Sequence, residues 1–296
     1  MESVITITIL SFIIGAIIGS FLGVCAFRLP MGIYEPVRDS VPQLGDKITI
    51  TTPPRSFCPS CMRQLRWFHT VPVLSWLALR GRCAFCSKPI SIRYPLVELI
   101  TGAFAALCYL RFGMALTAAV AFVVVSALVV ITLIDIDYMI IPNKITYPGA
   151  IFGFALGAAS SFLPKNSILP LAYPFTQSLA DSIIGVILGG GTLYALWWFY
   201  IVVRKREGLG LGDVKLLTML GAIFGYECAV LTIFLGSVFG SLAGIIMLLG
   251  KRHSFSSYLS FGPYLALAAI LYIFNFMDLY KHLSNPATST IWRAFQ

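Results

Sequence analysis

The chain has 296 residues, of which 58% are hydrophobic and 11% are charged, and its formal net charge is +9. A soluble domain carries about 25% charged residues, so this composition excludes an ordinary soluble protein and indicates one whose apolar surface faces lipid. No basic stripe is interleaved with aromatic residues, which argues against nucleic acid as a partner.

Hydropathy divides the chain into candidate membrane spans, each of which needs about 20 mostly apolar residues. We interpret the first apolar stretch as a span rather than a secretory signal, because Glu2 is its only early charge and the stretch is too long for a signal. We expect an all-α polytopic membrane protein with about eight transmembrane helices. The candidates are residues 4–28, 95–112, 115–134, 145–163, 181–203, 213–227, 229–250 and 259–280.

One polar segment interrupts this pattern between the first and second spans. Residues 29–94 hold most of the polar content and four of the seven cysteines. We therefore divide the chain into a first transmembrane helix (1–28), a small cytosolic metal-binding insert (29–94) and a membrane core that contains spans two to eight (95–296).

Lysine and arginine placement predicts the orientation, because loops on the cytoplasmic side are enriched in these residues. If the N-terminus is outside, 17 of the 21 basic residues fall in inside segments. Those segments are residues 28–94, 135–144, 204–215 and 251–252. The insert is then expected in the cytosol.

Two C-x-x-C pairs lie in the insert, Cys58 with Cys61 and Cys83 with Cys86. Two such turns can close a tetrahedral sulfur site around Zn²⁺, and a small domain gains much of its folding free energy from such an ion. Two disulfides are an alternative that a reducing cytosol disfavours, and a redox role is a second. With four cysteine ligands the metal would be structural, so the chemistry is expected elsewhere.

Three aspartates lie where the predicted spans meet the cytosolic face: Asp135, Asp137 and Asp213. A carboxylate near hydrocarbon is costly and suggests function. Asp213 opens a span, where it could simply cap a helix, whereas Asp135 ends one, where a negative charge is unfavourable. Two facing aspartates that share a proton suggest aspartic protease chemistry, in which the ionised carboxylate activates water and the protonated one polarises a peptide carbonyl.

These residues carry a family resemblance that extends over nearly the whole chain. GLGD (210–213) is similar to the G-x-G-D signature of intramembrane aspartic proteases. With DIDYMIIPN (135–143), the paired C-x-x-C motifs and RYPLVEL (93–99), the chain resembles the bacterial prepilin leader peptidases.

The resemblance implies that Asp135 and Asp213 are the catalytic pair, while Asp137 lies on another helix face. It implies a multi-pass protein of the bacterial inner membrane that cleaves type IV prepilins and type II secretion pseudopilins at the cytosolic face. Members with the cysteine insert often N-methylate the new N-terminus with S-adenosylmethionine, so this cofactor is expected too. Lys215 and Asn143 are further candidates for orienting the site.

Two other functions stay open on sequence alone. A transporter or proton-coupled channel could use intramembrane aspartates as a relay, although the middle of the spans holds almost no charge. A non-catalytic assembly scaffold could use the cysteine module to bind partners.

Overall fold

A computed structural model describes residues 2–31, 49, 51, 55–58, 60–162, 174–205, 210–249 and 260–274. Within these ranges the regular structure is helical, and no β-strand occurs. Much of the insert N-terminal to Cys58, and the end of the eighth predicted span, lie outside the described residues.

Nine α-helices follow one another in the described ranges. They are α1 (Glu2–Met31), α2 (Leu74–Ala78), α3 (Arg93–Phe112), α4 (Leu116–Tyr138), α5 (Asn143–Phe162), α6 (Leu179–Val186), α7 (Thr192–Arg204), α8 (Leu211–Leu249) and α9 (Gly262–Ile273), and a π-helical turn (Ile187–Gly191) joins α6 to α7.

Six helical segments of the described chain are long and apolar enough to cross a membrane. They are α1, α3, α4, α5, the continuous run Leu179–Arg204 and α8, while α9 is apolar but shorter. The predicted spans fall on these helices. The sixth and seventh are the two parts of α8, which are joined through a kink at Gly225, and the described part of the eighth is α9.

The first of two compact units comprises Met1–Val130. Within it α1 packs closely on α3, because small residues let the backbones approach. A Cβ atom on Gly15 would lie 2.9 Å from the Cα of Gly102, and one on Gly19 would lie 2.8 Å from the Cα of Glu98. The two helices flank the insert in sequence and form a pair beside it.

Two buried charged residues tie the insert to these helices. Arg28, near the end of α1, donates to the carbonyls of Thr49 and Arg55 at 3.3 Å each. Glu98, in the second turn of α3, accepts a 2.8 Å hydrogen bond from the backbone N–H of Val73. Each of the two helices that flank the polar segment therefore holds part of it by charge-assisted hydrogen bonds.

The second unit comprises Ile131–Gln296, and the first half of α8 is its centre. Helices α5, α6 and α9 all pack on α8, and Gly153 and Gly185 bring α5 and α6 against its backbone. This half of α8 is almost fully buried at Leu216, Leu217, Leu220, Ala222, Ile223 and Phe224. A buried central helix holds its first turn in a fixed place, and that turn carries Asp213.

Helix α8 is broken at Gly225, whose φ of 81° lies outside the helical region. Asp181 of α6 fills the space beside this glycine and accepts a 3.2 Å hydrogen bond from the backbone N–H of Tyr226. A break in a helix leaves N–H groups without intrahelical partners. The Asp181 carboxylate satisfies one of them.

Candidate active site and metal centre

Asp135 lies in the last turn of α4 and is buried, with 5% of its surface exposed. Its Oδ2 accepts a hydrogen bond from the hydroxyl of Ser260 and another, 3.0 Å long, from the backbone N–H of Gly262. Gly262 is the first residue of α9. The carboxylate at the end of one helix therefore sits at the positive end of another, which offsets its unfavourable place in α4.

Asp213 lies in the first turn of α8 and is also buried, at 7% exposure. The backbone of Gly210 hydrogen-bonds its carboxylate, and a Cβ atom on Gly210 would lie 3.4 Å from Oδ2. The absence of a side chain at Gly210 thus lets the backbone come close to this carboxylate.

The two carboxylates are brought together around Ile141, in the loop after α4. A Cβ atom on Gly212 would lie 3.1 Å from the Ile141 side chain, and one on Gly262 would lie 3.3 Å from its Cδ1. Asp135 is near enough to Asp213 for the two carboxylates to repel each other when both are ionised. Residues 78 positions apart in the chain therefore form one acidic pair, made from the end of α4 and the beginnings of α8 and α9.

Three other residues that the sequence analysis considered for the site lie near the acidic pair: Asp137, Lys215 and Asn143. Asp137 is exposed, on another face of α4 from buried Asp135. Lys215 donates a 2.9 Å hydrogen bond from Nζ to the Oδ1 of Asn143, the first residue of α5, and lies over the ring of Tyr147. This bond joins the beginnings of α8 and α5 next to the acidic pair.

Sequence reasoning missed Ser260 and Gly262, the two donors to Asp135. The available signal was Pro263, because proline favours the first turn of a helix and so marks where α9 begins. That signal places the helix start in the sequence but says nothing about which carboxylate it meets.

The four insert cysteines converge in the first unit. The sulfur atoms of Cys58, Cys61, Cys83 and Cys86 all lie within 4.8 Å of one another. Cys58 and Cys83 are buried, and none of the chain's seven cysteines forms a disulfide. The disulfide alternative therefore has no counterpart in this arrangement.

The two C-x-x-C turns have the same backbone conformation. In each, the carbonyl of the first cysteine accepts from the N–H four residues later, of Met62 or Ser87, and this later residue has a positive φ. In each, the residues that flank the turn also form an antiparallel bridge, Phe57 with Gln64 and Arg82 with Pro89. The insert thus contains a short structural repeat that the sequence did not reveal.

The pKa values of Cys83 and Cys86 are shifted in opposite directions. Burial disfavours the thiolate of Cys83, but hydrogen bonds from the backbone of Phe85 and Cys86 and from neighbouring thiols outweigh it and lower the pKa of Cys83 to about 7. A backbone hydrogen bond at Lys88 favours the Cys86 thiolate, but desolvation and the other three sulfurs raise the pKa of Cys86 to about 11. Four sulfurs this close need a shared cation to ionise together, and the donor set fits a tetrahedral metal ion.

Two family models match different parts of the chain. Residues 13–112 match the Bacterial Peptidase A24 N-terminal domain, and residues 122–245 match the Type IV leader peptidase family. No solved structure matches the chain significantly.

Curated relatives are similar over most of their lengths. A prepilin leader peptidase/N-methyltransferase of Pseudomonas putida is 34% identical over 90% of this chain and 90% of its own. Proteins of the same name from Stutzerimonas stutzeri and Aeromonas hydrophila are each 33% identical, over 87% and 88% of this chain and 87% of their own.

Proposed function

The chain belongs to the type IV leader peptidase family, and on that premise we propose that it is a membrane-embedded aspartic endopeptidase with Asp135 and Asp213 as its catalytic pair. Its substrates are type IV prepilins and, we infer, type II secretion pseudopilins. The comparisons give no support to a transporter or channel.

The observation that carries this proposal is the pairing of two buried carboxylates around Ile141. Two neighbouring carboxylates repel each other when both are ionised, so we infer that the pair holds a proton between its members. One carboxylate then takes a proton from water while the other polarises the scissile carbonyl. Asp135 lies in the last turn of α4 and Asp213 in the first turn of α8. We infer that an extended peptide reaches them at these helix ends.

The test is cleavage of a prepilin by the full-length enzyme in detergent or liposomes. Asp135→Asn and Asp213→Asn should each reduce the rate by about 10²–10⁴-fold or more, the usual contribution of a general acid or base. Asp137→Asn is the matched control and should retain activity. Normal processing by either pair variant, with the protein inserted and folded, would exclude the assignment.

We further propose that the enzyme N-methylates the new N-terminus with S-adenosylmethionine as methyl donor. The support is the methyltransferase in the names of the relatives. Mass spectrometry of a co-expressed prepilin reports both steps, since the leader is lost and the mass of one methyl group is gained. Cleaved but unmethylated product in the presence of the donor would contradict this second activity alone.

For the four cysteines of residues 58–86 we propose one structural Zn²⁺ ion. A bound ion would stabilise the insert and take no part in the cleavage. Elemental analysis should find one zinc per chain, reduced in Cys58→Ser and in Cys86→Ser. Cys108→Ala is the control, because Cys108 is buried in α3 away from the cluster's donor set. Undiminished zinc in the cluster variants would place the ion elsewhere.

We also propose the layout expected from the sequence: a first transmembrane helix (1–28), a cytosolic insert (29–94) and a transmembrane peptidase core (95–296). The N-terminus is outside, so the insert and the acidic pair face the cytosol. Single cysteines test this when introduced into a variant that lacks Cys25, Cys108 and Cys228 but keeps the four cluster cysteines. A membrane-impermeant maleimide added to intact cells should label a cysteine before residue 4 and leave one at Ser91 unlabelled. The opposite labelling would reverse the orientation.

A further inference from the structure

The two carboxylates of the acidic pair differ in their hydrogen-bond donors. Asp135 accepts from the hydroxyl of Ser260 and from the N–H of Gly262, both at the beginning of α9. Among the described residues, Asp213 accepts only from the backbone of Gly210. Donors to an ionised carboxylate favour the ionised form, and hydrogen bonds to charged groups are the stronger ones.

Proximity to a helix N-terminus does not distinguish the two carboxylates. Asp135 lies at the beginning of α9, and Asp213 lies in the first turn of α8. The two carboxylates differ in that Asp135 also accepts a hydrogen bond from a side-chain hydroxyl, that of Ser260. Ser260 precedes α9 by two residues, is part-buried and places its Oγ on the same Oδ2 atom that Gly262 contacts. The side chain of Ser260 is thus the feature that sets Asp135 apart.

We propose that Ser260 is a positioning residue that, together with Gly262, keeps Asp135 as the ionised member of the pair. Asp135 is then the general base, and Asp213 carries the shared proton. This inference rests on the proposed peptidase function and deepens it by giving each aspartate a separate role.

The roles give a balanced hydrolysis. The water oxygen bonds to the scissile carbonyl carbon while one water proton moves to Asp135, and the proton of Asp213 moves to the carbonyl oxygen. The carbon–nitrogen bond then breaks, the proton on Asp135 passes to the leaving nitrogen, and a hydroxyl proton of the tetrahedral intermediate returns to Asp213. The pair ends in its starting state.

Among the residues that the structure describes, the charged groups around Asp135 do not replace Ser260 in this role. On α8 the facing group is Asp213, whose charge would oppose ionisation of Asp135, and the Nζ of Lys215 is bonded to Asn143. Asp137 on the same helix is exposed, and the loop 139–142 is uncharged. Helix α9 contributes only tyrosines as titratable side chains.

The test is the pH dependence of kcat/KM for prepilin cleavage by full-length Ser260→Ala. Without the hydroxyl, ionised Asp135 is less stabilised, so the acid limb of the profile should move upward by about one pH unit, the usual scale of one charge-assisted hydrogen bond. The basic limb should stay in place. Ser260→Thr keeps a hydroxyl, so its acid limb should lie where that of the unchanged enzyme lies. Ser260→Cys is a weaker donor and should shift the acid limb by an intermediate amount. Ser237→Ala is the control, because within the described part of the chain its hydroxyl donates to the Ile233 carbonyl inside α8 and not to the acidic pair.

Each other outcome has one meaning. A shift of the basic limb would make Asp135 the proton carrier and overturn the role assignment. An unshifted profile in Ser260→Ala and Ser260→Cys would remove Ser260 from the mechanism. Both results leave the peptidase assignment intact, because that assignment fails only if Asp135→Asn or Asp213→Asn still cleaves.

Discussion

Helix α8 meets two acidic arrangements, one at each end of its buried first half. Asp213 lies in the first turn of α8. Asp181 of α6 contacts α8 at the Gly225 break, which is about 18 Å further along the helix axis at 1.5 Å per residue. Both carboxylates belong to the second unit and both have a glycine close by. They differ in what surrounds them.

Asp181 is held by donors on both oxygens. Oδ1 accepts from the Tyr226 N–H and Oδ2 from the hydroxyl of Thr176, each at 3.2 Å, while its own N–H donates to Ser178 at the start of α6. Asp213 instead faces another carboxylate. A carboxylate whose donors are all supplied by the fold stabilises the fold, whereas one that faces its like holds a proton that chemistry can use.

The largest effect on stability should come from Gly225→Ala. At a φ of 81° an alanine costs about 1–3 kcal/mol, and its Cβ atom would also collide with the Asp181 carboxylate. Thermal unfolding in detergent should show a clear fall in the midpoint. The matched control is Gly244→Ala in the same helix, where a Cβ atom meets nothing within 4 Å. If both variants unfolded alike, the break at Gly225 would have no energetic importance.

Asp181→Asn and Asp213→Asn should give opposite results. Asp181→Asn replaces one of two accepting oxygens by a donor, which should destabilise the fold by about 1–3 kcal/mol while the folded enzyme still cleaves prepilin. Asp213→Asn should lose cleavage with no loss of thermal stability, because the amide has the same size and the same neutral charge as the protonated carboxyl that it replaces. Paired unfolding and activity measurements check this. If both variants lost activity at unchanged stability, Asp181 would not be the purely structural carboxylate that we contrast with Asp213.

The smallest effect should come from Lys215→Met, which removes the bond to Asn143 between α8 and α5. One such partly exposed hydrogen bond is worth about 1 kcal/mol, so kcat/KM should fall only several-fold. Lys144→Met, an exposed neighbour of Asn143, is the control and should change neither activity nor stability. Complete inactivation by Lys215→Met would add this lysine to the acidic pair as a third essential group.

Chemically distinctive residues with short-range signals could be found from the sequence. The C-x-x-C spacing led to four cysteines that do converge. The placement of Asp135 and Asp213 at the ends of apolar runs led to two buried carboxylates beside glycines that both pack against Ile141. Their role as the catalytic pair stays a prediction. The helices were predictable for the same reason, since long apolar runs allow few alternatives.

Contacts that depend on packing could not be found. The Ser260 hydroxyl reaches Asp135 only because α9 packs on α8, and nothing in the sequence near Ser260 records that contact. In the sequence, nothing distinguishes Gly225 from the other glycines of the same apolar stretch, so the helix break there could not be predicted. The shared conformation of the two cysteine turns was hidden because Met62 and Ser87 occupy positive-φ positions where glycine would have been the expected signal.

The contacts of Ile141 with Gly212 and Gly262 have a consequence for the width of the cleft. One branched aliphatic side chain separates the first turns of two helices, so its volume determines how near those turns can come. A valine there would leave space for them to close, and a phenylalanine would force them apart. In the proposed mechanism, the space for a water molecule and a peptide bond between the two carboxylates would thus be set by a residue that takes no part in the chemistry.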